Sequence, residues 1–454
     1  MPALSTYFIS RQRRMGVWNR LRQLRNEFNG HAPTLRFLKA SDSWDVEKLA
    51  QWQLREVNSL LVHAARHVPG YRIKFAAAGI NPGRLLAHID EIRELPFLTK
   101  GELRADSTAF TDERMPTAAR IAVTSGGTTG TPTRFFVSRR AYRGTFDAWR
   151  YAMWARAGFR SGARCLDLTW AFEENAPLIS YARSPHTYLS INYLNSEAVD
   201  GWLSRVEAFS PEFIIGIPSS ATAFAKLVFN RAKFPNLRSI ILGSELLTGE
   251  QRAALENIFG VRVFCWYGMS EMAGFASACE KADTFHFWPQ SGVIEIIGDD
   301  GSPVTQPGCG GEVVLTGFSS RITPFIRYRT GDRAILGEPC PKCRRSHTTL
   351  AALEGRQSDF LLGRAGRVVP LSALNFHTDE FRHVLAHQFV QTEPGTALLR
   401  VVPLPGFGES DKMAILQLMQ TKIGLDFVLR LEIAKFLERT ARGKQPLILQ
   451  RCSR

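Results

Sequence analysis

Residues 160–245 constrain the fold most, because short apolar runs alternate there with longer amphipathic runs. FIIGI (213–217) and SIIL (239–242) are rich in branched residues, and SSATAFAKLVFNRA (219–232), which separates them, has the periodicity of a helix. Strands that alternate with helices form a mainly parallel sheet with crossover helices. The 454 residues, 44% of them hydrophobic, suffice for two or three compact units.

The region before this alternation contains two further patterns. Residues 44–68 repeat apolar positions every three or four residues and predict a long amphipathic helix that ends near Pro69. IAVTS (121–125) and RFFVS (134–138) alternate like the two strands of a hairpin. We therefore expect a helical start followed by a β-hairpin.

The predicted fold class is α/β, with three parts. A basic helical extension covers 1–43, and a large multi-layer α/β body covers 44–358. Within that body, residues 290–335 switch to short strands and turns, which predicts a small β-rich subdomain. A compact α+β unit at 359–454 is predicted to be a small, mobile C-terminal domain.

The cysteines and the apolar runs limit the compartment. No apolar run approaches the roughly 20 residues that a transmembrane helix needs, and the first residues lack the apolar block of a secretory signal. Seven cysteines without an export signal fit a reducing compartment better than a disulfide framework. We expect a soluble, cytoplasmic protein.

The net charge of +15 favours polyanionic partners such as nucleotides, nucleic acid or anionic lipid. Part of the excess is local to the first thirty residues, which contain Arg11, Arg13, Arg14, Arg20, Arg22 and Arg25. Apolar residues at helical intervals among them predict a basic amphipathic helix. Its arginines are either a solvated face or a peripheral contact to a membrane or partner.

The segment TSGGTTGTPT (124–133) is suited to phosphate. Its three glycines allow backbone N–H groups to turn inward, and its hydroxyls add neutral donors. A P-loop requires a lysine after its last glycine, and Thr131 stands there instead, so an ordinary P-loop NTPase is disfavoured. A hairpin turn without a ligand is the alternative.

Later segments add groups that suit a nucleotide. WYGMSEMAG (266–274) offers an aromatic ring and a carboxylate that can hold Mg²⁺, and RYRTGDRAIL (327–336) offers a carboxylate for ribose hydroxyls. GRQSDFLLGRAGRVVP (355–370) is a charged, turn-rich joint, and TARGKQPLIL (440–449) presents one lysine on a glycine turn. Each segment alone is weak evidence for a nucleotide site, and the stronger evidence is that all of them occur in this order.

These five segments, in this order, resemble the signature set of the adenylate-forming superfamily of acyl-CoA synthetases, nonribosomal adenylation domains and luciferases. Four stretches more closely resemble the phenylacetate-CoA ligase group and its relatives in capsular polysaccharide biosynthesis: LVHAARHVPGYR, LPFLTKGELR, GIPSS and RYRTGDRAIL. The resemblance runs from about residue 55 to the end of the sequence. It implies the adenylate-forming enzyme fold.

The resemblance also implies a role for each matching residue. Lys444, Glu271 and Thr128 are the expected catalytic residues, and Asp359 is the expected hinge of the small domain. The residues expected to bind ATP are Thr124, Ser125, Gly126, Gly127, Thr129, Gly130, Gly243, Ser244, Glu245, Tyr267, Gly268, Ser270, Asp332, Arg329 and Arg356. Among these, Tyr267 would stack on adenine and Asp332 would bind the ribose.

The implied activity is activation of a small carboxylic acid through an acyl-adenylate, with ATP, Mg²⁺ and then CoA. An adenylate-forming amide ligase, with an amine acceptor, differs only in the second step. A polyanion-binding scaffold without activity is a further alternative and predicts salt-sensitive binding without pyrophosphate release. No nucleic-acid partner is expected from the enzyme interpretation, and a dimer is compatible with it.

The cysteines include a C-x-x-C knuckle at CPKC (340–343). Cys340 and Cys343, with Cys279 and His286 upstream, form a set of four soft ligands that suits a structural Zn²⁺. His347 is an alternative fourth ligand. Free thiols beside an unrelated histidine are the other interpretation.

Overall fold

The structure is a computed structural model. It describes residues 31–81, 85–124, 133–139, 142–168, 176–180, 184–356, 360–364, 368–370, 379–424, 427–439 and 445–452. The predicted basic N-terminal helix lies mostly outside these residues. So do most of the glycine-rich segment, the predicted hinge residue Asp359 and the predicted catalytic lysine Lys444.

The described residues contain nine α-helices, which we number in chain order: α1 Ala32–Ser41, α2 Val46–His67, α3 Pro69–Ala77, α4 Lys100–Ala105, α5 Tyr142–Ala155, α6 Leu203–Phe209, α7 Pro218–Val228, α8 Gly249–Phe259 and α9 Glu409–Ile423.

They also contain twenty strands. The first ten are β1 Arg120–Thr124, β2 Arg134–Ser138, β3 Cys165–Leu168, β4 Leu178–Ser180, β5 His186–Leu189, β6 Phe213–Gly216, β7 Ser239–Gly243, β8 Val263–Gly268, β9 Phe275–Ala278 and β10 Phe285–Phe287. The others are β11 Gly292–Ile297, β12 Gly310–Gly317, β13 Phe325–Leu336, β14 Thr349–Arg356, β15 Phe360–Leu362, β16 Val368–Pro370, β17 Val384–Glu393, β18 Thr396–Pro403, β19 Val428–Ile433 and β20 Ile448–Gln450.

The described residues form two compact bodies, and each is assembled from separate chain segments. The first body contains residues up to 124, 133–157 and 266–353, and the second contains 158–265 and 354–452. Because each body combines separate chain segments, the bodies do not test the predicted domain boundaries at 43/44 and 358/359, which stay predictions.

Helix α2 anchors the first body. Its apolar residues recur at helical intervals, and Leu60 and Ala64 are fully buried. The Asp45 side chain caps the start by accepting the Lys48 N–H (2.8 Å), and the helix ends before Pro69. Burying one leucine contributes roughly 2 kcal/mol, so the apolar face holds the helix on the core. The predicted helix is confirmed.

The first body also contains a sheet in the order β11-β12-β13-β14-β10-β9, in which the pairs β11–β12, β12–β13, β14–β10 and β10–β9 are antiparallel. Its β11–β12–β13 part is the predicted run of short strands, with the register Ile294↔Leu315 and Leu315↔Tyr328. Strand β13 is longer than the sequence suggests. A turn was expected within RYRTGDRAIL, but the segment is strand throughout, and its pairing with β12 contains register shifts.

The predicted hairpin is present in the first body. Strands β1 and β2 pair antiparallel from Arg120↔Ser138 to Thr124↔Arg134. The pairing thus closes at Thr124, the first residue of the glycine-rich segment. Phe135 in β2 is fully buried and stacks edge-on against Phe325, which fixes the hairpin on the core.

The second body contains the predicted parallel sheet in the order β7-β6-β3-β5-β4. Strands β3, β5, β6 and β7 are parallel, and β4 is antiparallel to β5. Helix α7 is the crossover between β6 and β7. A stack of buried aromatic rings, Trp202 and Phe224, packs under the sheet.

The second body also contains a four-stranded sheet in the order β19-β18-β17-β20, covered by α9. Strands β17 and β18 form an antiparallel pair, and the two outer strands run parallel to their neighbours. Phe389, Leu399 and Ile415 are fully buried between sheet and helix. These elements lie within the range of the predicted α+β unit, 359–454.

The chain is therefore a mixed α/β protein with a large multi-stranded sheet, as predicted. None of the helices in the described ranges is both long enough and apolar enough to cross a bilayer.

Candidate functional site

Tyr267 and Asp332 meet in the first body, although 65 positions separate them in the sequence. Tyr267 lies near the end of β8, and its hydroxyl donates to Asp332 Oδ2 at 2.8 Å. Burial, and then the adjacent carboxylate, hold the pKa of the Tyr267 hydroxyl well above its usual value, so the hydroxyl keeps its proton. An aromatic ring and a carboxylate thus lie side by side.

The turn after β8 carries Glu271, which is 4% exposed. Its Oε1 accepts a hydrogen bond from the Tyr328 hydroxyl at 3.1 Å. The Tyr142 hydroxyl donates to the carbonyl of Ser270 at 2.9 Å, which fixes the turn from a second side. The carboxylate of Glu271 is therefore held in one orientation by groups from two other elements.

Gly268 ends β8 at a close approach. A Cβ at this position would lie 2.7 Å from the ring of Phe275, closer than a side chain can pack. The strand can therefore lie against β9 only because residue 268 has no side chain. The pairing of Gly268 with Phe275 therefore depends on glycine at the end of the strand that carries Tyr267.

Asp332 is oriented by its own strand. Its N–H donates to Thr330 Oγ1 (3.0 Å), and that hydroxyl donates to the carbonyl of Val313 in β12 (2.6 Å). Gly331 has a φ of +71°, which glycine adopts readily, and its N–H donates to Glu312 Oε1 (3.0 Å). Glu312 and Tyr328 were not predicted from the sequence. No alternation marks Tyr328 as inward-facing, because residues 325–328 are all buried.

Arg329 and Arg356 are the two arginines expected to bind phosphate, and the structure describes the side chain of Arg329 only. Arg329 Nε donates to Glu312 Oε2 at 2.8 Å, and 47% of its side chain is exposed. This arginine therefore already has a carboxylate partner, and its role as a phosphate ligand stays a prediction. Arg356 ends β14, and its side chain lies outside the described part.

Gly243 ends β7 in the second body, and Ser244 and Glu245 follow it. Ser244 has a φ of +72°, a tight turn that aims Glu245 at the start of α7. Glu245 Oε2 accepts the Ser219 N–H in the first turn of that helix (3.0 Å), and Oε1 accepts the Gln445 N–H (2.8 Å). The carboxylate thus joins the predicted adenine segment to the residue after Lys444.

Eight predicted residues lie outside the described ranges: Ser125, Gly126, Gly127, Thr128, Thr129, Gly130, Asp359 and Lys444. Thr124 is the last residue of β1 and pairs with Arg134. The roles of all nine stay predictions.

Cys279, His286, Cys340 and Cys343 come together in the first body, with all four ligand atoms within 4.8 Å of one another. Cys279 and His286 are neighbours because β9 and β10 form an antiparallel hairpin. His286 Nε2 lies 3.3 Å from the Cys343 Sγ, so this nitrogen faces the thiols. The described residues contain no other such group of three or more.

The surroundings of this Cys₃His group keep its histidine neutral. Burial, and then the nearby Arg156 charge, lower the pKa of His286 to about 4. A neutral imidazole is the form that binds a metal. His347, the alternative ligand, is buried with its ring centre 5.8 Å from that of His286, but it is not one of the four grouped residues.

Residues 81–320 match the family model of AMP-binding enzymes, which is more than half of the chain. The phenylacetate-coenzyme A ligase of Aromatoleum evansii is 28% identical over 336 residues, covering 71% of this chain and 74% of that protein. The Escherichia coli K12 protein of the same name is 26% identical over 359 residues, covering 75% and 78%.

A solved structure of 2-hydroxyisobutyryl-CoA ligase in the postadenylation state superposes with a TM-score of 0.70. It is 18% identical and covers 90% of each chain, so the two proteins share a fold.

Proposed function

Because the chain belongs to the AMP-binding enzyme family, we propose that it joins a carboxylic acid to CoA in two steps. In the first step, the carboxylate attacks the α-phosphorus of ATP, an acyl-adenylate forms and pyrophosphate leaves. In the second step, the CoA thiol attacks the acyl carbon and AMP leaves. The match to phenylacetate-coenzyme A ligases over 71% and 75% of the chain supports this reaction.

The contact between Tyr267 and Asp332 is the observation that carries the proposal. A tyrosine ring can stack on adenine, and a carboxylate can accept hydrogen bonds from both hydroxyls of a ribose. These two groups come from segments that the resemblance assigns to adenine and ribose. Their convergence supports a nucleoside site in the first body.

Glu271 is the residue that we assign to the Mg²⁺ that accompanies ATP. Mg²⁺ at phosphate sites usually takes one or two carboxylates, with water and phosphate oxygens as its other ligands, so a single oriented carboxylate fits. When bound, the ion offsets phosphate charge as pyrophosphate leaves. The hydrogen bond from Tyr328, which orients the Glu271 carboxylate, supports this assignment.

The remaining roles rest on the family resemblance. The segment 124–130 would hold the β- and γ-phosphates through backbone N–H groups and the hydroxyls of Ser125, Thr128 and Thr129. Lys444 would place a positive charge between the carboxylate nucleophile and the α-phosphate. Such a charge stabilises the transition state in which two anions approach each other.

Pyrophosphate release tests the proposal. The purified chain is mixed with ATP, Mg²⁺ and a panel of aryl and aliphatic acids that includes phenylacetate and 2-hydroxyisobutyrate. We expect acid-dependent release, and an acyl-CoA product when CoA is added. Glu271→Gln, which keeps the shape of the side chain, should lower the release on the order of a hundredfold.

The second acceptor is decided by the same assay. Product that forms with an amine but not with CoA would establish the amide-ligase alternative. If no acid causes pyrophosphate release and the chain binds a polyanion in a salt-sensitive way, the proposal is contradicted and the scaffold alternative is favoured.

We also propose that the Cys₃His group binds Zn²⁺. Three thiols and one imidazole are a ligand set that Zn²⁺ prefers, and four protein ligands complete its tetrahedral shell. A shell without an open position has a structural role. Because the ligands come from the β9–β10 hairpin and the 340–343 turn, the ion would fasten that turn to the sheet.

A further inference from the structure

Gln388, in β17, has a wholly buried side chain that makes hydrogen bonds to two separate points of the chain. Its Nε2 donates to the carbonyl oxygens of Glu438 (2.9 Å) and Pro446 (2.8 Å). Its Oε1 accepts the Glu438 N–H (3.1 Å). Glu438 and Pro446 bracket Lys444 in the sequence. One buried amide thus fixes both ends of the segment that carries the lysine.

The residue after Lys444 is fixed as well. The Gln445 N–H donates to Glu245 Oε1 at 2.8 Å, and its side-chain Nε2 donates to the carbonyl of His387, the neighbour of Gln388, at 3.3 Å. Gln445 is 5% exposed. These contacts lie within the second body and join the residue after Lys444 to a carboxylate of the predicted adenine segment.

We infer that Gln388 is a positioning residue for Lys444. The inference rests on the proposed function, in which Lys444 supplies charge to the adenylation step. Lysine side chains are long and have many rotamers, so their charge acts at a defined point only when the backbone is held. Removing the amide would leave three backbone groups in part-buried positions without their partner and release both ends of the segment.

Gln391 is a matched control on the same strand. It is also wholly buried, and its amide also bonds to backbone groups, namely the N–H (2.6 Å) and carbonyl (2.9 Å) of Leu362 and the carbonyl of Thr396 (3.2 Å). The Gln391 Oε1 also accepts the side-chain Nε2 of Gln450 in β20 (2.8 Å), six positions after Lys444. None of the backbone groups that Gln391 binds brackets Lys444 as Glu438 and Pro446 do. Loss of either glutamine should therefore destabilise the sheet similarly, and only the loss of Gln388 should affect the lysine.

The experiment compares Gln388→Leu and Gln391→Leu with the unmodified chain, using the acid that gives the most pyrophosphate release. Acid-dependent ATP–pyrophosphate exchange reports the first step, and thioester formation from supplied acyl-adenylate and CoA reports the second. We expect Gln388→Leu to lower the kcat of exchange at least about tenfold. The KM for ATP and the thioester step should stay within about twofold. Gln391→Leu should leave both steps unchanged.

Two outcomes would overturn the inference. In one, Gln388→Leu and Gln391→Leu lose exchange activity equally, which would make Gln388 a general structural residue. In the other, Lys444→Ala exchanges as fast as the unmodified chain, which would leave Gln388 nothing to position.

Hydrogen–deuterium exchange of the peptide 439–445 gives a readout that does not depend on activity. Gln388→Leu should speed exchange in this peptide, and Gln391→Leu should not. If the unmodified chain releases no pyrophosphate with any acid, the proposed function fails. In that case, equally fast hydrogen–deuterium exchange of the peptide 439–445 in both variants would by itself overturn the anchoring role of Gln388.

Discussion

Arg327 is a buried cation that donates hydrogen bonds to three other residues. It is 5% exposed, and its guanidinium donates to both oxygens of Glu295 (2.8 and 3.0 Å) and to the carbonyls of Arg93 and Leu95 (2.6 Å each). It also lies 4.1 Å from the centre of the Phe97 ring. The motif RYRTGD therefore contains one arginine with a structural role, which its sequence alone does not distinguish from Arg329.

Replacing this arginine should be costly. Arg327→Met leaves the buried Glu295 carboxylate without its partner, and we expect the free energy of unfolding to fall by about 3–5 kcal/mol. Urea denaturation measures the change. Arg72→Met, which breaks an exposed ion pair with Glu113, is the control and should change little. Equal losses in the two variants would contradict this account of Arg327.

Lys226, in α7, has an ammonium group that donates to the carbonyl of Val384. Burial lowers its pKa to about 8 from 10.5. Between these two pH values the unfolded chain holds the proton more tightly than the folded chain, so stability rises with pH across this window and is lowest below pH 8. The full effect is on the order of 3 kcal/mol.

Urea midpoints at several pH values from 7.5 to about 10 test this expectation. The stability of the unmodified chain should rise relative to that of Lys226→Met, which cannot titrate at this position. Parallel curves for the two proteins would contradict the assignment.

The partners that orient the candidate site residues could not be predicted from the sequence. Tyr267, Glu271 and Asp332 were named from a resemblance, but their orienting partners were not. Glu312 and Tyr328 hold this site from strands whose pairing is set by the register of β12 and β13, and that register depends on long-range packing.

At the scale of elements, periodicity predicted the β6–α7–β7 unit and the β1–β2 hairpin, because branched strands and amphipathic helices have distinct local patterns. It failed at β13. A Thr-Gly-Asp sequence is typical of a turn, yet here Glu312 of β12 accepts the Gly331 N–H and keeps the segment within the sheet. Local propensity is overridden by a partner strand that the local sequence does not contain.

The contact between β12 and the turn after β8 is unusually close. A Cβ at Gly317 would lie 2.5 Å from the Cα of Ala273 and 2.9 Å from its carbonyl oxygen. Ala273 is two residues from Glu271. The strand therefore supports the turn directly through backbone contact, which only glycine permits.

Gly317→Ala should push this turn away from the strand. We expect a loss of stability of about 1–3 kcal/mol from overpacking, together with reduced pyrophosphate release as Glu271 moves. Thermal unfolding and the acid-dependent assay measure the two effects. Gly249→Ala, where the added methyl meets nothing within 4 Å, should cost neither. Full activity in Gly317→Ala would refute the supporting role.

At the scale of the molecule, the proposed Zn²⁺ should bind at about one ion per chain, and its removal should lower the stability of the whole first body. Elemental analysis gives the stoichiometry, and thermal unfolding with and without a chelator gives the stability. Cys343→Ser should lose the metal and unfold at a lower temperature even without chelator.

Cys309→Ser is the matched control, because Cys309 is an exposed cysteine outside the group. It should keep both metal and stability. Metal-free preparations with an unchanged unfolding temperature would contradict a structural Zn²⁺.

The interleaving of the two bodies has a consequence for synthesis on the ribosome. Leu385, which follows residue 354, is buried in the same apolar cluster as Ile214 and Ile240, and Val402 packs against that cluster. The parallel sheet of residues 158–265 thus emerges from the exit tunnel long before the residues that complete its core. During that interval the nascent chain must carry incompletely covered apolar surface, which makes it a natural client for chaperones that act during translation.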